Sequence, residues 1–100
     1  MFAQIIRCTV KPDAWDRLRA LDERWQMEQA PIAPGFKGAY ILREMESAGG
    51  CIMVVLFESQ ELAQQNSDRP ETNEWYRQLL TLIDGEPQFI ATEVFRSYLT

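Results

Sequence analysis

Residues 49–59 read GGCIMVVLFES, apolar at every position from 51 to 57. A strand with one wet face alternates apolar and polar residues, whereas a strand buried on both faces reads as a continuous apolar run. Ile52, Val54 and Leu56 fall on one side of this strand, and Cys51, Met53, Val55 and Phe57 on the other. Both sides therefore call for a cover.

The flanking segments supply elements of recognisable type. Residues 36–46, FKGAYILREME, form a preceding strand, and SAGG forms the turn that joins it to residues 51–58 as a hairpin. Upstream, MFAQIIRCTV at residues 1–10 is rich in Ile, Val, Phe and Thr and reads as a first strand. Residues 11–30 read as a helix, capped by Asp13 or carrying Pro12 in its first turn, with Ala14, Trp15, Leu18, Leu21 and Trp25 on one face. PIAPG breaks it. Downstream, Ser59 caps a short helix over residues 60–66, and SDRPET interrupts. Residues 73–84, NEWYRQLLTLID, form a longer helix with Trp75, Tyr76, Leu79, Leu80, Leu82 and Ile83 on a broad apolar face. GEPQ ends that helix, and residues 89–99 give the last strand, with Ile90 and Val94 on one side and Phe89 and Phe95 on the other.

The order β-α-β-β-α-β is that of the ferredoxin-like split unit, an α+β fold with a four-stranded antiparallel sheet. Right-handed crossovers place the helices on one face and leave the other open. Leaving about four large apolar side chains in water forgoes roughly 6–12 kcal/mol of burial. That rivals the roughly 5–15 kcal/mol by which a whole domain is stable. The simplest cover is a second copy of the chain, giving a homodimer through the helix-free sheet face.

One hundred residues are expected to make one domain over residues 1–100. The net charge of −5 argues against nucleic acid or an anionic membrane as partner. No 18-residue apolar run is present, and the first ten residues lack a basic signal-peptide start, so a cytoplasmic location with reduced Cys8 and Cys51 is expected. The absence of histidine removes the commonest general base and the commonest metal and haem ligand. No Gly-rich nucleotide loop or Cys-rich metal motif occurs.

PGFKGAYILRE, a Gly turn and CIMVVLFESQELAQ together resemble the antibiotic biosynthesis monooxygenase superfamily. The correspondence rests on Pro34, Gly35, Phe36 and Gly38 leading into strand two, and on Phe57, Glu58 and Ser59 stepping from strand three into a helix. The family more often has Trp where this chain has Phe57. The resemblance implies a dimeric α/β barrel. It further implies one of several activities: oxidation of polycyclic phenols or quinols by O2 without metal or flavin, haem degradation, or no reaction. The haem-degrading branch uses a His ligand, which this chain lacks. The implied function is thus a cofactor-independent monooxygenase acting on an aromatic or quinol-like small molecule, with no cofactor and no metal. The alternative is a non-catalytic small-molecule-binding or accessory dimer.

An oxygenase of this kind needs aromatic walls, a donor for a developing oxyanion and a proton acceptor. The resemblance carries Asn66, Asn73, Trp75, Tyr76 and Arg77 over as candidates, with Asn66 or Asn73 as oxyanion donor and Trp75 as a wall. In structural terms a Trp at position 75 is more often core than pocket wall, and Asn73 serves as well as a helix cap. Asp22 lies beside Trp15, Leu18 and Trp25 on the apolar arc of the first helix, where desolvation would suit it to act as a base; otherwise it pairs with an arginine such as Arg19. Arg7 interrupts the apolar first strand and would point into the pocket or the dimer centre. Tyr40 has a polar tip that could reach the same pocket, or be satisfied in the core. Strands one and three are expected to be antiparallel neighbours, which brings Cys8 and Cys51 to one end of the sheet, either as reduced structural thiols or as a redox couple.

Overall fold

The computed structural model describes residues 1–99. The elements run β1 (Phe2–Val10), α1 (Trp15–Glu28), a 3-10 turn (Ala30–Ile32), β2 (Phe36–Arg43), β3 (Gly50–Phe57), α2 (Gln60–Ser67), α3 (Pro70–Leu80) and β4 (Ile83–Glu93). The four strands form one antiparallel sheet in the order β2-β3-β1-β4. This is the ferredoxin-like α+β arrangement expected from the sequence, and the sheet is open rather than closed into a barrel.

The apolar run of β3 sits at an inner position because β2 and β1 pair on either side of it. Its two faces differ. Cys51, Met53 and Phe57 are buried, whereas Ile52, Val54 and Leu56 are only half-buried. The first set faces the helices. Ile6, Val10, Leu18, Leu21, Cys51, Met53, Leu79, Leu82 and Ile83 belong to one core cluster, and Phe2, Phe57 and Ala63 to a second. Burying a side chain of Leu or Met size contributes about 1.5–3 kcal/mol each. The helix-free face carries Ile5, Val54 and Ile90 on one row, since Ile5 pairs with both of the others.

Local chemistry explains most boundaries. Ser59 caps α2 as expected, its Oγ accepting from the Leu62 N–H at 3.2 Å. Gly35 takes φ +78, and a Cβ there would lie 2.5 Å from Leu62 Cδ1, so the PGF turn admits only glycine against α2. Asp13 does not cap α1; Ala14 holds the cap position with no side-chain bond, and Asp13 instead pairs with Arg17 at 3.7 Å.

Several boundaries differ from the sequence reading. Helix α2 runs through Asn66 and on to Ser67, so the SDRPET break is reduced to Asp68 and Arg69. Helix α3 starts at Pro70, whose fixed φ suits the first helical position. Asn73 is therefore inside its first turn and caps nothing. The helix also ends early: Leu82 and Ile83 leave it, and Ile83 pairs with Val10 to begin β4. GEPQ is absorbed into β4 as an irregularity, with Gly85 at φ +72 and the register shifting between Arg7 and Thr9. Pro87 is tolerated because β4 is an edge strand. Val94 and Phe95 fall beyond β4, and Phe95 is 94% exposed. Among the described residues no helix is long and apolar enough to cross a membrane.

Candidate functional site

Between the two core clusters the sheet and the helices do not meet, and a cavity of about 350 Å³ remains. Its floor is Gln4, Ile6, Met53 and Val55 of the central strands. Its walls are largely aromatic. Trp25 of α1 meets Phe36 of β2 edge-on at 5.0 Å between ring centroids, and Phe36 meets Phe57 of β3 at 5.7 Å. Across the opening Tyr76 of α3 lies against Phe89 of β4 at 5.7 Å. Such rings offer broad apolar faces to a flat ligand.

A few polar groups interrupt this lining. Asn66 is 7% exposed, and its Oδ1 accepts from Arg69 Nη1 at 3.2 Å. A guanidinium only donates, so the amide oxygen must face Arg69, which leaves the amide NH2 as the end that can donate to a ligand. Arg69 is itself held by Gln29 Oε1, at the end of α1, and by Glu71 Oε2 at 3.0 Å. Its backbone carbonyl accepts from the N–H groups of Thr72 and Asn73, fixing the start of α3. Trp75 Nε1 and Thr72 Oγ1 also belong to lining residues, and both are buried with no hydrogen-bond partner among the described residues. A buried donor without a partner costs about 1–3 kcal/mol, which an acceptor that reached it would offset.

Asp22 enters the cavity from α1. Desolvation raises its carboxyl above the usual range; the hydrogen bond from Gln26 Nε2, 2.6 Å long, opposes that, and the nearby Glu23 charge adds to it. Arg19 does not pair with it and lies instead 3.7 Å from Asp16. Asp22 is the lining residue with a carboxyl group.

The fold therefore brings Asp22, Asn66, Asn73, Trp75 and Tyr76 to one cavity. Asn73 stands at its exposed rim. Tyr40 borders it only from the edge strand and is largely exposed, because its partner in the ladder is Val54 on the helix-free face. Two residues are not brought there. Arg7 pairs with Ile52 and Gln88, so it stands on the helix-free face. Arg77 points to solvent and binds Glu74 at 2.6 Å. The sequence reading missed Arg69 and Thr72 in the SDRPET stretch, and Phe36, Phe57 and Phe89 as walls. Among the described residues no group of His, Cys, Asp or Glu side chains could hold a metal ion.

No family model matches the sequence, and no curated protein matches it at a significant level. Solved structures do match in shape. SnoaB, a cofactor-independent oxygenase from Streptomyces nogalater solved as an asparagine-to-alanine variant, superposes with a TM-score of 0.82. It is 14% identical, over 96% of this chain and 94% of that one. The fold is that of the antibiotic biosynthesis monooxygenases. A Nitrosomonas europaea protein carrying that family's name gives a TM-score of 0.78 at 14% identity, over 96% of this chain and 100% of its own. Rv0793 from Mycobacterium tuberculosis gives 0.78 at 17% identity, over 96% of both chains. At these identities the likeness concerns the antibiotic biosynthesis monooxygenase fold, not the reaction.

Proposed function

We propose that this chain is an antibiotic biosynthesis monooxygenase-type protein that oxidises an aromatic or quinol-like small molecule with O2, without metal, flavin or haem. The observation that carries the reading is Asn66, a buried residue of the aromatic cavity's lining whose amide oxygen is held by Arg69, so that its NH2 is the end left to donate. In a cofactor-independent oxidation the substrate supplies the electrons. The protein's part is to bind the electron-rich ring, remove a phenolic proton and stabilise the resulting oxyanion. The rings of Trp25, Phe36, Phe57 and Trp75 sandwich the substrate. Asn66 and the Trp75 indole N–H donate to the oxyanion, and Asp22, charged once its raised pKa is passed, accepts the proton. The likeness to a cofactor-independent oxygenase supports the same reading at the level of fold. The working unit is a homodimer through the helix-free sheet face, located in the cytoplasm.

Oxygen uptake by metal-stripped protein tests this, with an electron-rich polycyclic phenol as substrate. Uptake above the uncatalysed rate is expected, and Asn66→Ala should lower it about 10²–10³-fold, as for other oxyanion donors. Asn73→Ala, at the rim, should change it far less. No uptake across a broad phenol and quinol panel overturns the oxygenase reading in favour of a binding or accessory dimer.

A further inference from the structure

Cys8 and Cys51 face one another directly across the β1–β3 ladder. Both are free thiols. They stand on the helix-covered face, one register step from Ile6 and Met53, which form the cavity floor. We propose that this pair is a reversible dithiol–disulfide site, oxidised by a peroxide, with Cys8 as the attacking thiol and Cys51 as the resolving one.

Geometry carries the proposal. Residues directly opposite in an antiparallel ladder have Cα atoms about 4.5 or 5.5 Å apart. Disulfides span Cα separations of about 4.4–6.8 Å. Their Cβ atoms must approach from about 4.5–5.5 Å in the ladder to about 3.8 Å. The irregularity in β4 leaves Cys8 untied to the ladder on that side. Arg7 pairs with Gln88 and Thr9 with Asp84, so Cys8 has no ladder partner on the β4 side and residues 85–87 bulge past it. The same bulge distinguishes the two thiols. Cys8 is partly exposed, while Cys51 is 2% exposed. A peroxide reaches Cys8 first.

The electrostatics agree with that order. The neighbouring Cys51 thiol stabilises a Cys8 thiolate and lowers its pKa, against an opposing effect of desolvation. Cys51 is pushed far up, by Cys8 first and by burial second. The thiolate is the nucleophile, so Cys8 is the reactive member. Its sulfur attacks one peroxide oxygen, the O–O bond breaks, and hydroxide leaves and takes up a proton as water. Cys8 is then a sulfenic acid. The Cys51 sulfur attacks it, the S–O bond breaks, and water departs with the thiol proton. Two thiols lose two electrons and one hydrogen peroxide becomes two waters.

The test uses the native chain, treated with hydrogen peroxide and then alkylated and digested without reductant. An intramolecular peptide pair linking Cys8 to Cys51 is expected, with loss of both alkylatable thiols and their return after dithiothreitol. In Cys51→Ser, checked for native circular dichroism, a sulfenic acid should accumulate at Cys8 and be trapped by dimedone. In Cys8→Ser, Cys51 should stay unmodified until the chain is unfolded. Both thiols remaining free in the treated native chain, links only between chains, or oxidation of native Cys8 onward to sulfinic acid would each overturn the proposal. The native-chain result decides it even if a variant fails to fold.

Discussion

The Arg69 guanidinium donates to the Asn66 amide oxygen at 3.2 Å and so dictates which end of that amide is left to donate. The same side chain reaches Gln29, 40 positions earlier in the chain, and clips the end of α1 to the junction of α2 and α3. One residue thus ties the orientation of a candidate oxyanion donor to the packing of three helices.

Replacing Arg69 by Met should separate these two effects from those of simple truncation. A hydrogen bond to a charged group contributes about 1.5–3 kcal/mol, so Arg69→Met should lower unfolding stability by about that amount in a urea titration. It should also release the Asn66 amide to rotate and lower turnover while leaving ligand affinity less affected. Arg69→Lys retains the charge without the planar fork and should recover stability better than turnover. Equal recovery of both would show that Arg69 only holds the helices together.

Trp75 invites the opposite kind of change. Its indole N–H is buried without a partner among the described residues. Trp75→Phe removes that donor and keeps most of the wall. The relief of about 1–3 kcal/mol for an unsatisfied donor offsets the lost apolar area, so stability without ligand should move by less than about 1 kcal/mol. Affinity for a phenolate ligand, measured by fluorescence or calorimetry, should fall about tenfold for one lost hydrogen bond of roughly 1.4 kcal/mol. Unchanged affinity would mean that the N–H does not meet the ligand.

How far the sequence could carry these conclusions depended on the range of the forces involved. The strand character of β3 and the Ser59 cap are local, and both read correctly. The end of α3 was not legible, because Leu82 and Ile83 continue the helical apolar spacing; only their meeting with β1, through Lys11 N–H to the Leu82 carbonyl and Ile83 opposite Val10, makes that segment a strand. Arg69 was hidden for a similar reason. In SDRPET it looks like one more charge in a helix break, and nothing nearby announces Gln29 or the half-buried setting of its guanidinium. Asn66 and Asp22 could be named as candidates from the chain. That one cavity gathers them, while Arg7 stands on the opposite face, follows from register, which a single residue in β1 cannot reveal.

The helix-free face leads to a prediction about assembly. Ile5, Ile52, Val54, Leu56 and Ile90 are all half-buried on that face. The native protein should sediment as a dimer at micromolar concentration. Val54→Asp places a charge at the middle of the row and should yield monomers, with β-sheet circular dichroism retained. A native chain that stays monomeric and well folded would sink the proposed assembly.

Asp22 gives the last prediction, which concerns pH. Its carboxyl is raised above the ordinary value of 3.8, chiefly by desolvation, so the folded state favours the protonated form. A group with a raised folded pKa contributes stability that is fully present below its unfolded value and is lost as pH rises through the folded value. Asp22→Asn mimics the neutral form and can still accept the Gln26 N–H. The variant should therefore match the native chain in urea midpoint at about pH 3, and exceed it at about pH 7, where the native carboxylate is charged. The difference should open within the window that begins near 3.8 and ends at the raised value. Turnover should move the other way. Native activity should rise with pH through the same window, and Asp22→Asn should be slow throughout, because an amide cannot accept the phenolic proton. A variant that gains stability at neutral pH yet keeps the native pH–rate profile would make Asp22 a desolvated carboxylate with no part in the reaction.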